Sequence, residues 1–136
     1  MALAAKIETG DGRCMVPGPP FDRPVDLVHL ARYTLGNRSL EREVLRLFCT
    51  QSSACLQRLK DAQADTDWAD AAHTIKGSAR SIGAWRVAKI AEAAEALCGE
   101  GRQNESASVV CELERLIGEV NSYIDTLLAE AGPNAA

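Results

Sequence analysis

The chain has 136 residues, a formal net charge of -4, 46% hydrophobic residues and 25% charged ones. That length suits one soluble domain with a real core, and the mild acidity gives no broad electrostatic reason to expect nucleic acid as a partner. Aromatics at 4%, against alanine and leucine throughout, argue against a strand-rich build and favour an all-α protein.

Lys6, Glu8 and Asp11 interrupt the N-terminus before a long apolar run develops. Neither a signal peptide nor a membrane span is expected, which places the protein in the cytoplasm. Residues 1–24 contain Pro17, Gly18, Pro19, Pro20 and Pro24 with little apolar periodicity, as expected of a flexible tail leading into a domain over residues 25–131.

The first helix is short: Leu27, Leu30, Ala31 and Leu35 follow helical spacing, and Gly36-Asn37 ends it and starts the next. From about Arg38 to Ala62, Leu45, Phe48, Ser52, Cys55, Leu56 and Leu59 repeat every three or four residues, as one buried stripe requires. "DAQADTD" breaks that pattern, with Asp65 or Thr66 placed to cap a third helix running from about Asp67 to Ile82. Gly83 ends it. A fourth helix is expected from Trp85 to Cys98, a turn over "CGEGRQN", and a fifth from about Glu105 to Ala129. Long helices that are apolar on one side can bury those sides together, so the expected fold is an antiparallel up-and-down four-helix bundle with a short additional N-terminal helix.

On the third helix, steps of about 100° per residue put His73, Lys76, Gly77 and Arg80 on one face, opposite Trp68, Ile75, Ala79 and Ile82. His73 is therefore expected to be exposed. A solvated imidazole, with an ordinary pKa of about 6.5, is largely neutral at cytoplasmic pH and keeps a free lone pair. An ammonium one turn away suits an incoming phosphoryl group, and a glycine there clears space for a partner's surface despite its cost inside a helix. Cys14, Cys49, Cys55, Cys98 and Cys111 include no C-x-x-C pair and are odd in number, unlike a zinc site or a disulfide framework. The helical ones are expected to act as small core hydrophobes.

The run His73-x-Ile75-Lys76-Gly77-x-Ala79-x-x-Ile82-Gly83 resembles the signature of the histidine-containing phosphotransfer (HPt) family, H-x-hydrophobic-K-G-x-S/A-x-x-hydrophobic-G. The resemblance implies a phosphoryl carrier, not an enzyme with an ATP-binding domain, that relays phosphate between receiver-domain aspartates through His73. It further implies that Lys76 stabilises the phosphoryl charge, Gly77 leaves docking room, and Ala79 and Gly83 serve packing and termination. The implied partners are response-regulator receiver domains and a hybrid histidine kinase, with no nucleic acid, no membrane and no cofactor of its own; magnesium belongs to the receiver. The carrier is expected to be a monomer and the chain complete in itself.

Candidate docking residues are Ala69, Asp70 and Arg80 near His73, Gln51, Cys55 and Arg58 on the preceding helix, and Trp85 on the following one. Arg80 suits either steering or simple solvation, and Trp85 either a partner anchor or packing on the Gly83 turn. Two other functions fit less well. A receiver-docking adaptor would not need the intact His73, and a metal-binding bundle built on Asp26-x-x-His29 and Asp70-x-x-His73 lacks inward carboxylates and sets Lys76 against a cation.

Overall fold

The computed structural model describes residues 23–131. The expected tail and Cys14 lie outside the described residues, apart from Arg23 and Pro24. Five helices follow in order: α1 (Leu27–Tyr33), α2 (Arg38–Asp61), α3 (Asp65–Ile82), α4 (Trp85–Glu95) and α5 (Gly99–Ala131). There is no strand among the described residues, so the protein is all-helical there. No described helix is long and apolar enough to cross a membrane.

The boundaries follow from local chemistry. Asp26 caps α1 by accepting a hydrogen bond from the His29 amide at 3.1 Å, and Asn37 caps α2 by accepting one from Leu40 at 3.0 Å. Between them Leu35 and Gly36 both adopt positive φ, 56° and 79°, which reverses the chain within two residues. Gly83 ends α3 at φ 75°, and a Cβ there would lie 2.6 Å from the Cβ of Asp26. Only glycine fits. The same approach lets the Gly83 carbonyl accept from the Asp26 amide at 3.0 Å, which fixes α1 across the end of α3.

Three boundaries differ from expectation, the first being the end of α4, at Glu95 and not at Cys98. α3 begins at Asp65 after Ala64, with no side-chain cap; the Asp65 carboxylate instead accepts from the Gly99 amide at 3.1 Å and pairs with Arg102. That link stabilises the first turn of α5, which therefore starts at Gly99 and not near Glu105. Gly99 alone, at φ 57°, supplies the reversal, and Gly101 lies inside the helix.

α3 packs between α2 and α4, α5 closes against both of these, and α1 rests on α3. Trp68 is the largest fully buried side chain, and its indole N–H donates to the Ala94 carbonyl at 2.7 Å, so burial leaves no unpaired donor. Ala71, Ala72 and Ala79 on α3 and Ala91 and Ala94 on α4 are completely buried. Such small side chains let the two helix backbones approach closely, and a carboxylate on α4 can then reach groups on α3.

The cysteines divide. Cys55 is buried and Cys49 half-buried, as a small core hydrophobe would be, whereas Cys98 and Cys111 are exposed. Cys98 sits in the α4–α5 turn and Cys111 on the outer side of α5, where the bundle offers no interior to receive them.

Candidate functional site

His73 stands near the middle of α3 with 66% of its side chain exposed. The buried positions Trp68, Ala71, Ala72, Ile75, Ala79 and Ile82 define the opposite side of the helix. The ring is not free to rotate. Its Nδ1 lies 2.9 Å from Oε2 of Glu95, on the last turn of α4. The other oxygen of that carboxylate lies 2.7 Å from Nζ of Lys76.

One carboxylate thus holds both groups. Hydrogen bonds from Lys76 first, and from His73, keep the Glu95 carboxyl below the usual carboxylate range, against the opposing effect of burial. An ionised carboxylate can only accept, so Nδ1 carries the ring proton and Nε2, on the other edge of the ring, keeps its lone pair. The Lys76 side chain is only 15% exposed, so its ammonium is held in place by packing as well as by the ion pair. The ammonium expected to stabilise phosphoryl charge is thus already paired with a carboxylate.

Gly77 follows one turn after His73. A Cβ at that position would meet nothing within 4 Å, and the backbone there is ordinary helix. No neighbour inside the chain therefore demands glycine, in contrast to Gly83. The missing side chain leaves an open step beside the imidazole.

The other candidates separate. Ala69 is half-buried, and Asp70, Gln51, Arg58 and Arg80 are exposed. Arg80 pairs with Glu92 at 3.6 Å. Cys55 is 8% exposed, so it belongs to the core and does not line a docking surface, because its position on α2 turns inward with Phe48, Ser52 and Leu59. Trp85 is half-buried: its N–H donates to Asp26 at 3.0 Å and its ring meets His29 edge-on at 4.8 Å. Of its two readings, packing on the Gly83 turn is the one the contacts describe. The same contacts occupy Asp26 and His29 as cap and packing group, and His73 is engaged with Glu95. Among the described residues, no three His, Cys, Asp or Glu side chains converge as metal ligands would.

Glu95 is the residue that sequence reasoning missed. It lies 22 positions from His73, beyond any local motif. A signal existed: Glu92 and Glu95 are one turn apart on α4, as Lys76 and Arg80 nearly are on α3, and both pairs meet across the seam.

The family model described as "Hpt domain" matches residues 43–130, most of α2 and the whole of α3 and α4, with α5 to its last turn. No curated protein and no solved structure gave a match.

Proposed function

Because this chain belongs to the Hpt domain family, we propose that it carries a phosphoryl group on His73 between receiver-domain aspartates in a two-component phosphorelay. Hpt domains are phosphocarrier modules that work with receiver domains and histidine kinases, and are not kinases themselves. In this reading α2 to α5 form the antiparallel up-and-down bundle, and the carrier acts as a cytoplasmic monomer fed by a hybrid histidine kinase.

The observation that carries the reading is the tethered ring: Nδ1 occupied by Glu95 and Nε2 left unbonded on an exposed helix face. In the transfer, the Nε2 lone pair attacks phosphorus while the bond from phosphorus to the aspartyl oxygen breaks, and the aspartate leaves as a carboxylate with that electron pair. The ring becomes a phosphoimidazolium whose proton stays on Nδ1, donated to the Glu95 carboxylate. Lys76, already beside the ring, shares its charge with the phosphoryl oxygens. Return to a second aspartate reverses these bonds. The receiver supplies its own acidic pocket and magnesium, so the carrier requires no cofactor.

Incubation with a phosphorylated receiver domain tests the proposal. Label that appears on this protein and is lost in His73→Gln supports it. Receiver binding without label would replace it with an adaptor role.

A further inference from the structure

Five large apolar side chains among the described residues stand in water, Val28, Tyr33, Leu35, Leu40 and Leu47, and the first four gather at one corner, where α1 turns into α2. Leu35 is 93% exposed at the tip of that turn, and it is the one described residue other than glycine with positive φ. Asparagine or glycine would hold the same backbone with less strain. Neither the turn nor the core therefore accounts for a leucine there.

Charge sets the same corner apart. From Leu27 to Leu40 the chain carries Arg32 and Arg38 and no carboxylate. Residues 23–46 hold five arginines against three carboxylates, whereas residues 47–131 hold thirteen carboxylates against eight lysines and arginines. The three carboxylates of the corner are engaged locally: Asp26 caps α1 and accepts from Trp85, Glu41 accepts from the Thr34 hydroxyl, and Glu43 faces Arg46 at 4.0 Å. Arg32 and Arg38 are exposed and make no ion pair among the described residues. Arg58, Arg86 and Lys89 are exposed and equally unpaired there, but they stand on stretches of α2 and α4 that carry no exposed large apolar side chain.

We infer that this corner seats reversibly on an anionic lipid surface, with Leu35 entering the apolar layer and Tyr33, Arg32 and Arg38 at the level of the headgroups. The order of the side chains favours lipid over an acidic protein. Leucine is outermost, and Arg32 and Arg38 flank it three residues away on either side, at the end of α1 and the start of α2. A bilayer boundary imposes that order, acyl chains first and then the phosphates, with tyrosine between them. An acidic protein would engage the arginines but has no such use for a protruding leucine. Val28 adds apolar area one turn before Arg32, on the side of α1 opposite the buried Leu30. Apolar insertion and positive charge together supply the two signals that surface binding needs.

The contact leaves His73 free. α2 and α3 are joined by a turn over residues 62–64, which sets Ala54 about level with His73. Leu40 lies fourteen residues before Ala54, about 21 Å farther along α2. The corner and the imidazole can therefore be occupied at the same time, and the lipid contact does not rest on the phosphotransfer reading. It needs no helix that crosses the membrane. It departs from the expected absence of a membrane partner, which the family resemblance alone implied.

The test is flotation of the full chain with vesicles of phosphatidylglycerol mixed with phosphatidylcholine, against vesicles of phosphatidylcholine alone. Leu35→Asn removes the apolar tip while suiting the positive φ, and Arg32→Gln with Arg38→Gln removes the charge; Lys89→Gln is the control, and circular dichroism checks the fold. The wild type should float with the anionic vesicles and not with the neutral ones. Its affinity should fall roughly tenfold in Leu35→Asn and in the double arginine variant, stay within about twofold in Lys89→Gln, and weaken with added salt. A wild type that stays off the anionic vesicles, or a Leu35→Asn variant that floats as well as the wild type, overturns the inference. No vesicle binding, together with slower labelling of Leu35→Asn by a phosphorylated receiver, overturns it in favour of a protein partner at this corner. None of these results depends on whether wild-type His73 accepts label, so the relay reading stands or falls separately.

Discussion

Nδ1 of His73 and Oε2 of Glu95 stand 2.9 Å apart across the α3–α4 seam, and the second oxygen of that carboxylate holds Lys76 at 2.7 Å. A single side chain from α4 thus fixes the tautomer of the imidazole and the position of its cationic neighbour. Replacing Glu95 with alanine is expected to leave the bundle folded and to slow phosphoryl transfer roughly tenfold, because the ring then rotates and exchanges tautomers. Long-range ¹⁵N–¹H NMR should show the proton fixed on Nδ1 in the wild type and distributed over both nitrogens in Glu95→Ala. A ring with the same tautomer in both proteins would contradict the tether.

Lys76→Ala should lower the transfer rate by roughly tenfold or more without loss of helicity, since a charge-assisted contact to the phosphoryl group disappears. It should also release Glu95. The carboxyl, held down chiefly by Lys76, moves up toward its ordinary range when that ammonium is gone. Carboxyl-carbon NMR titration of both proteins reads this directly, and an unmoved Glu95 titration would show that the pair seen here contributes little in solution.

The sign of the pH dependence follows from the same pair. A carboxyl whose folded pKa is depressed contributes stability that is present above the unfolded value, about 4.3 for Glu, and is lost as pH falls through the lower folded value. The Glu95 bridge should therefore be intact throughout the neutral and mildly acidic range and fail only in strong acid. The Nδ1–H signal of His73 should persist down to about pH 5. Its disappearance well above that pH would mean that something other than the Glu95 carboxylate holds the ring.

Two glycines of one helix should answer substitution in opposite ways. Gly77→Ala meets open space and gains helix propensity, so it should stabilise the fold by about 0.5–1 kcal/mol while slowing transfer to and from a receiver. Gly83→Ala combines φ 75° with a contact of 2.6 Å to Asp26, so it should cost about 1–3 kcal/mol. Thermal unfolding of the two variants checks the signs. A destabilised Gly77→Ala would show that the glycine serves the bundle, and not a partner.

These particulars mark how far the sequence alone reached. The buried stripe of α2 and the side of α3 that carries His73 were legible because helical periodicity writes burial into spacing, and Asn37 and Gly83 announced their termini through cap chemistry. The start of α5 was not, because Asp65 acts across 34 residues of chain to secure Gly99. Cys55 fitted both the buried stripe of α2 and the docking row, and its burial assigns it to the stripe alone. Glu95 escaped for a related reason: its partners belong to another helix, and only the close approach allowed by Ala91, Ala94 and the α3 alanines brings them within bonding distance.

The most direct measurement is ³¹P and ¹⁵N NMR of the protein after phosphorylation by a receiver domain, which identifies the nitrogen that bears phosphorus. With Nδ1 committed to Glu95, the label should sit on Nε2 of His73 alone. Phosphorus on Nδ1, or on any residue other than His73, would contradict the account.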